Sequence, residues 1–182
     1  MPDGLTAVVL AGGGAGDAVA AAAGVEAKAL LPVSGRPLAA FVLDALTGSG
    51  RVDEVVYVGP GAAQLGGYDL VPVPAGRRFE DSLALGLGAA LGRGAREVLV
   101  ATADVPWVTP DAVARFVDGA RALGAQLVYP VVAEADMARE FPEQRRTYAR
   151  LRDGRFTGGN LALVAAEAVP ALLPLVSRAF AA

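Results

Sequence analysis

Thr6-Ala-Val-Val-Leu10, followed by Ala11-Gly12-Gly13-Gly14-Ala15-Gly16, is the stretch on which the fold turns. A compact apolar run containing β-branched residues and ended by glycines reads as a strand buried on both faces that opens into a loop. Three similar runs follow at Val52–Val58, Val98–Ala103 and Leu127–Val131, with a shorter one at Leu161–Val164. Near-continuous apolar strands of this kind belong to parallel sheets covered by helices on both sides. Helical patterns lie between them at Pro37–Leu46, Phe79–Leu91 and Pro110–Leu123, the last with proline in its first turn and glycine after its end. The alternation β-α-β-α-β-α-β predicts a three-layer α/β/α domain with a mostly parallel central sheet. Its ligand site is expected at the carboxyl ends of the strands, at a topological switch point, after Leu10 and after Ala103.

The chain has 182 residues, 54% of them hydrophobic, enough for one domain spanning residues 1–182 with a core of its own. Residues 134–157 differ from the rest: charged, rich in arginine and weak in apolar period, with Asp153-Gly154 as a hairpin turn. They are expected to form an insertion folding over the site. The amino-terminal Met1-Pro-Asp-Gly4 has no basic region ahead of an apolar stretch, and no uncharged run is long enough to span a bilayer. A cytoplasmic protein is expected, and homo-oligomerisation is left open.

A net charge of -3 gives no general field for a nucleic-acid backbone or an anionic membrane, so neither is expected as a partner. With no cysteine and no histidine, thiolate nucleophiles, imidazole bases and their zinc sites are excluded. What remains are carboxylates, amines, guanidinium groups, hydroxyls, amides and a hard cation such as Mg²⁺ that takes oxygen ligands. That inventory suits phosphate chemistry.

Four places carry it. Backbone N–H groups of Leu10, Ala11, Gly12, Gly13 and Gly14 can curl around an anion where glycine removes side-chain clash, although such a loop also serves as a plain strand exit. Lys28 is the sole lysine among 16 basic residues. A compact ammonium follows a moving phosphate better than a guanidinium fork; the bland alternative is a solvated surface lysine. Asp104 ends the apolar run Val98–Ala103 in Asp104-Val-Pro-Trp-Val-Thr-Pro110, a place to hold Mg²⁺. A turn or cap aspartate is the alternative, with Thr109 better placed to cap the next helix. Asn160, the sole asparagine, follows Gly158-Gly159 and offers an amide oxygen to a metal or hydroxyl, or else adopts a left-handed turn.

Leu10-Ala-Gly-Gly, then Lys28 before Leu31-Pro-Val-Ser-Gly-Arg-Pro-Leu38, then Asp104-Val-Pro-Trp-Val-Thr-Pro110, occur in the order of the signatures of the MobA-like nucleotidyltransferases. The chain resembles that family from residue 5 to about 165. The resemblance implies a Rossmann-like, GT-A-like fold. It also implies an NTP substrate, a phosphorylated small-molecule acceptor, and Mg²⁺, or Mn²⁺ in its place, at Asp104. Molybdenum cofactor guanylyl- and cytidylyltransferases and sugar-1-phosphate nucleotidyltransferases belong to it, and in the sugar-nucleotide relatives Asn160 matches a second metal ligand. Ser82, in Glu80-Asp-Ser-Leu83, matches a serine that reads the base in cytidylyltransferases, and equally suits a first-turn hydroxyl.

The resemblance breaks in places. Relatives commonly have Gly-x-Gly-x-Arg-Met-Gly after the first strand, whereas Gly14-Ala-Gly-Asp17 continues as Ala-Val-Ala-Ala, so one phosphate contact is missing or comes from elsewhere. Ala27 precedes the lysine where proline is frequent, and the chain stops at Ala182, which predicts a shortened acceptor side. The reaction expected is attack by an acceptor phosphate oxygen on the α-phosphorus of the NTP with release of pyrophosphate, Lys28 and Asp104 being the catalytic residues. The rivals are a nucleotide-binding regulator of the same fold that has lost turnover, and a glycosyltransferase, which would ordinarily show Asp-x-Asp where Asp104-Val-Pro stands.

Overall fold

A computed structural model describes residues 4–12 and 18–181. Strands β1 (Leu5–Leu10), β4 (Glu54–Val58), β5 (Leu70–Val73) and β6 (Glu97–Thr102) pair in parallel. With β7 (Leu127–Val128) and β11 (Leu161–Ala165) they make one six-stranded sheet in the order β5-β4-β1-β6-β11-β7. The chain steps from β1 outward to β4 and β5, then returns to β6 on the other side of β1. The switch point therefore lies between β1 and β6, as the sequence pattern predicts.

Every residue of β1 is buried, because both of its faces are covered. Leu5, Ala7 and Val9 pack with Leu43 and Leu46 of α2 (Leu38–Gly48) and Val113 and Val117 of α4 (Pro110–Ala122). Val8 and Leu10 point the other way, onto Leu83 and Leu87 of α3 (Phe79–Gly92) and Val169, which begins α6 (Val169–Ala181). Alternation along one strand thus feeds two cores, and the result is the three-layer α/β/α, Rossmann-like arrangement. Thr109 caps α4 by accepting a hydrogen bond from the Ala112 N–H at 3.2 Å, with Pro110 in the first turn.

Two expectations need correction. The run Leu127–Val131 is no central parallel strand: Leu127 and Val128 form the sheet's edge, and the chain breaks at Tyr129-Pro130 into β8 (Val131–Ala133) of a separate small sheet. Proline cannot donate to a ladder, which ends the pairing there. Leu161–Ala165 is a strand but runs antiparallel to β6. Strand β11 and the long helix α6 follow the Gly-Gly-Asn segment.

Residues 134–157 hold α5 (Glu134–Glu140) and the hairpin β9 (Ala149–Leu151) to β10 (Gly154–Gly158), which pair with β8 in the order β8-β10-β9. Gly154 pairs with Leu151, so the turn falls on Arg152-Asp153, one residue earlier than the sequence pattern indicates. The remaining elements are α1 (Ala18–Ala22) and a two-stranded hairpin, β2 (Pro32–Val33) and β3 (Arg36–Pro37). Among the described residues no helix is long and apolar enough to cross a membrane.

Candidate active site

The register of β1 and β6 aligns Leu10 with Thr102, so the residues that leave both strands emerge side by side. The Ala103 N–H donates to the Leu10 carbonyl at 3.1 Å, and the Ala11 N–H to the Val58 carbonyl at 2.8 Å. These bonds carry the ladder past the strand ends and fix Ala11, Gly12 and Asp104 at one edge. A pocket of about 260 Å³ opens there, lined by Leu10, Ala11, Gly12, Lys28, Phe79 and Asp104 among others. Gly13 and Gly14 lie outside the described residues.

Lys28 reaches this edge from a 3-10 turn, Lys28–Leu30, whose flanking Ala27, Ala29 and Leu30 are buried. Its Nζ donates to Asp104 Oδ2 at 2.7 Å. The anchoring continues downstream. Ser34 and Gly35 both have positive φ, 50° and 78°, which closes the β2–β3 hairpin tightly. Arg36 then clamps that hairpin onto α2: it donates to Asp44 Oδ2 at 2.5 Å and lies over the Phe41 ring at 5.0 Å. Tyr68 donates to the other oxygen of Asp44 at 2.5 Å. The Ser-Gly-Arg-Pro segment is thus a scaffold that aims Lys28, and Arg36 is committed to it.

Burial pushes the Asp104 carboxyl up, but the hydrogen bonds from Lys28 and Thr102 and the lysine charge outweigh it and hold its pKa below the usual carboxylate range. Asp104 is therefore ionised at any neutral pH while remaining 39% exposed, open to a ligand. Thr102 is the residue the sequence pattern missed. Its Oγ1 stands 3.4 Å from Asn160 Oδ1 and within hydrogen-bond reach of the Asp104 carboxylate, so one hydroxyl, whose single proton serves one acceptor at a time, stands between the two candidate metal ligands. As the last residue of a buried strand it carries no signal in the sequence; only the antiparallel return of β11 gives it a neighbour.

Asn160 is held opposite Thr102, whose N–H donates to the Asn160 carbonyl at 3.2 Å. Its φ is not left-handed, since Ser34 alone has positive φ among the described non-glycine residues, so the turn-asparagine alternative is gone. The glycines before it are there for close approach. A Cβ on Gly158 would meet the Tyr129 hydroxyl at 2.0 Å, and Tyr129 donates to the Gly159 carbonyl at 3.0 Å.

Ser82 lies beneath the edge, buried, its Oγ accepting from the Gly76 N–H at 3.0 Å. In this structure the hydroxyl holds the 74–78 loop down rather than capping α3. Arg78, just ahead of α3, is engaged by Glu80 at 2.9 Å and Asp81 at 3.8 Å. No residue of 134–157 lines the pocket at Lys28 and Asp104. No cluster of three acidic, histidine or cysteine residues occurs among the described residues.

A model of the MobA-like NTP transferase domain matches residues 7–179. No curated protein matches the chain. A hypothetical transferase from Thermus thermophilus is 41% identical, with a TM-score of 0.78, over 97% of this chain and 71% of its own. Lower identities show the fold alone. The 2-C-methyl-D-erythritol 4-phosphate cytidylyltransferase of Thermus thermophilus is 22% identical, with a TM-score of 0.61, over 94% of this chain and 75% of its own. Rv0371c of Mycobacterium tuberculosis H37Rv, in complex with manganese, is 22% identical, with a TM-score of 0.54, over 93% and 74%. The family model over residues 7–179, together with a relative 41% identical over 97% of this chain, makes the protein a nucleotidyltransferase of the MobA-like NTP transferase family.

Proposed function

We propose that the enzyme moves an NMP from an NTP to a phosphorylated small-molecule acceptor in the cytoplasm, with pyrophosphate leaving. The observation that carries this is the convergence of Lys28 and Asp104, 76 positions apart, at 2.7 Å on the open edge of the sheet. In the reaction an acceptor phosphate oxygen forms a bond to the α-phosphorus. The bond from that phosphorus to the bridging oxygen breaks, and the electron pair leaves with pyrophosphate. No covalent enzyme intermediate is needed, so catalysis consists of positioning and charge stabilisation.

Lys28 is the mobile part. With nucleotide bound its ammonium exchanges Asp104 for the phosphate oxygens and follows the charge that builds up as the bond breaks. The Ala11 N–H is held by the Val58 carbonyl, so the cradle for the triphosphate is assigned to the N–H of Gly12 and, beyond the described residues, to those of Gly13 and Gly14. Ser82 supports the base side, through the loop it holds down or by direct contact.

Mg²⁺ or Mn²⁺ fits the donor set: an ionised carboxylate, an amide and a hydroxyl are hard oxygen donors, and Mg²⁺ commonly takes one or two protein ligands with water and phosphate completing the shell. Asp104 and Asn160 would hold it, with Thr102 orienting both. When bound, the ion neutralises charge on the triphosphate.

A screen of four NTPs against a panel of phosphorylated acceptors, read by pyrophosphate release, tests the reaction. Nucleotide titrations followed by Trp107 emission and by calorimetric heat test the metal, since Trp107 stands close to Asp104 and is the sole tryptophan. Binding is expected with Mg²⁺ or Mn²⁺ and not in EDTA. Equal binding in both would sink the metal-bridged model.

A further inference from the structure

A second cavity, of about 320 Å³, lies against the first. Leu10, Phe79 and Thr102 line both, so the two share a wall at the ends of β1 and β6. Its body is apolar, enclosed by Leu83 of α3, Val100 and Val164 of the sheet, and Leu172 and Val176 of α6. Among the described residues no charged one lines it. Its polar groups converge instead at one end, where Thr102 Oγ1 meets the Asn160 amide and the Tyr129 hydroxyl bonds the Gly159 carbonyl. An apolar chamber with a few convergent polar groups, at the low end of the roughly 300–1,000 Å³ usual for small-molecule sites, is the form of a ligand pocket.

The chamber also selects its ligand. A nucleobase or a polyhydroxylated sugar buried there would leave its donors and acceptors facing Leu, Val and Ala side chains, a costly loss of hydrogen bonds to water. An alkyl or aryl body loses nothing and fills the space. A phosphate attached to such a body would stand at the Thr102–Asn160 end, next to the edge where Asp104 and Lys28 meet. We propose that the acceptor is the phosphate monoester of an apolar alcohol, its hydrocarbon seated between the sheet and α3 and α6. The inference rests on the transfer reaction proposed above and names its acceptor class. The product is the diester of pyrophosphoric acid that joins the nucleoside to that alcohol.

The test is calorimetric binding of methyl, butyl, hexyl and octyl phosphate, each below its critical micelle concentration, to the full chain with Mg²⁺ and each of the four NTPs in turn. Affinity is expected to rise about threefold for each added methylene, since burying a CH₂ contributes on the order of a few-fold in binding, and then to level off once the chamber is full. Ala162→Phe, which projects a ring into the chamber from β11, is expected to abolish the rise, and Val176→Phe is the second variant should the first fail to fold. Affinity independent of chain length overturns the proposal. So does a rise that never levels off, or one unchanged in a folded Phe variant, because either means adsorption outside the chamber. Trp107 emission in the wild type with Mg²⁺ and each of the four NTPs is read alongside. Loss of that nucleotide signal tells against the transfer reaction, whereas flat alkyl binding with the signal intact tells against the acceptor class alone.

Discussion

In β1, β4 and β6 the strands run parallel and lie almost wholly inside, whereas β7 and the small sheet β8-β10-β9 run antiparallel and leave much of their surface to solvent. Leu99 of β6 is 0% exposed; Leu151 of β9 is 52% exposed. The first region supplies rigidity and the strand ends that carry Ala11, Gly12 and Asp104. The second returns the chain through β11, brings Asn160 to Thr102, and contributes Tyr129 to the wall of the apolar chamber. The active edge is the seam between them. One side of it is held by a core, and the other by a few hydrogen bonds and close contacts around Gly158 and Gly159.

The division of labour is open to direct test. Leu99→Ala should lower the unfolding free energy by about 2–5 kcal/mol, the usual cost of emptying a close-packed core position, while Leu151→Ala should change it by less than about 0.5 kcal/mol. Urea titrations of both variants decide it, and similar losses would erase the distinction between the two regions.

Within the seam, Lys28→Ala should cut pyrophosphate release by about two orders of magnitude, a typical loss for one charge-stabilising donor, without shifting the thermal midpoint appreciably. Lys28→Arg should recover little, because a planar fork cannot track the phosphate. Near-wild-type turnover in the arginine variant would reduce Lys28 to a surface charge.

Asp104→Ala and Asn160→Ala draw on opposite sides of the seam. Each should raise the Mg²⁺ concentration required for half-maximal activity, and the double variant should lose less than the sum of the two, by a coupling on the order of 0.5–3 kcal/mol. Strict additivity would mean that the two side chains do separate jobs.

The smallest effect concerns pH. The folded-state pKa of Asp104 is depressed, so the stability it contributes is present above the unfolded value of about 3.9 and is lost as pH falls through the lower folded value. The thermal midpoints of the wild type and Asp104→Asn should therefore differ at pH 6 and converge as pH falls through the depressed folded value. The gap should be modest, since a pair this exposed is screened by solvent. A gap that widens toward acid would contradict the lysine pairing.

Much of this was open to view in the linear chain. Continuous apolar runs such as Val98–Ala103 announce buried parallel strands because both faces need hydrophobic cover, and the glycine loop, sole lysine and strand-end aspartate stand out by type and order. Other features were hidden for physical reasons. In Leu70-Val-Pro-Val73 a proline sits inside an edge strand, which weakens the signal of β5. Pro174 within α6 did the same for that helix, whose apolar face still covers the chamber.

The amino-acid sequence by itself determined the layered α/β class, the switch-point position of Leu10 and Asp104 and the chemistry available there, because composition and periodicity act locally along the chain. Only the tertiary structure decided which way β11 runs, that Thr102 stands between Asp104 and Asn160, and that an apolar chamber opens beside them. Strand direction and neighbour identity depend on which distant segments meet across the sheet, and an apolar run reads the same whether its partner is parallel or antiparallel.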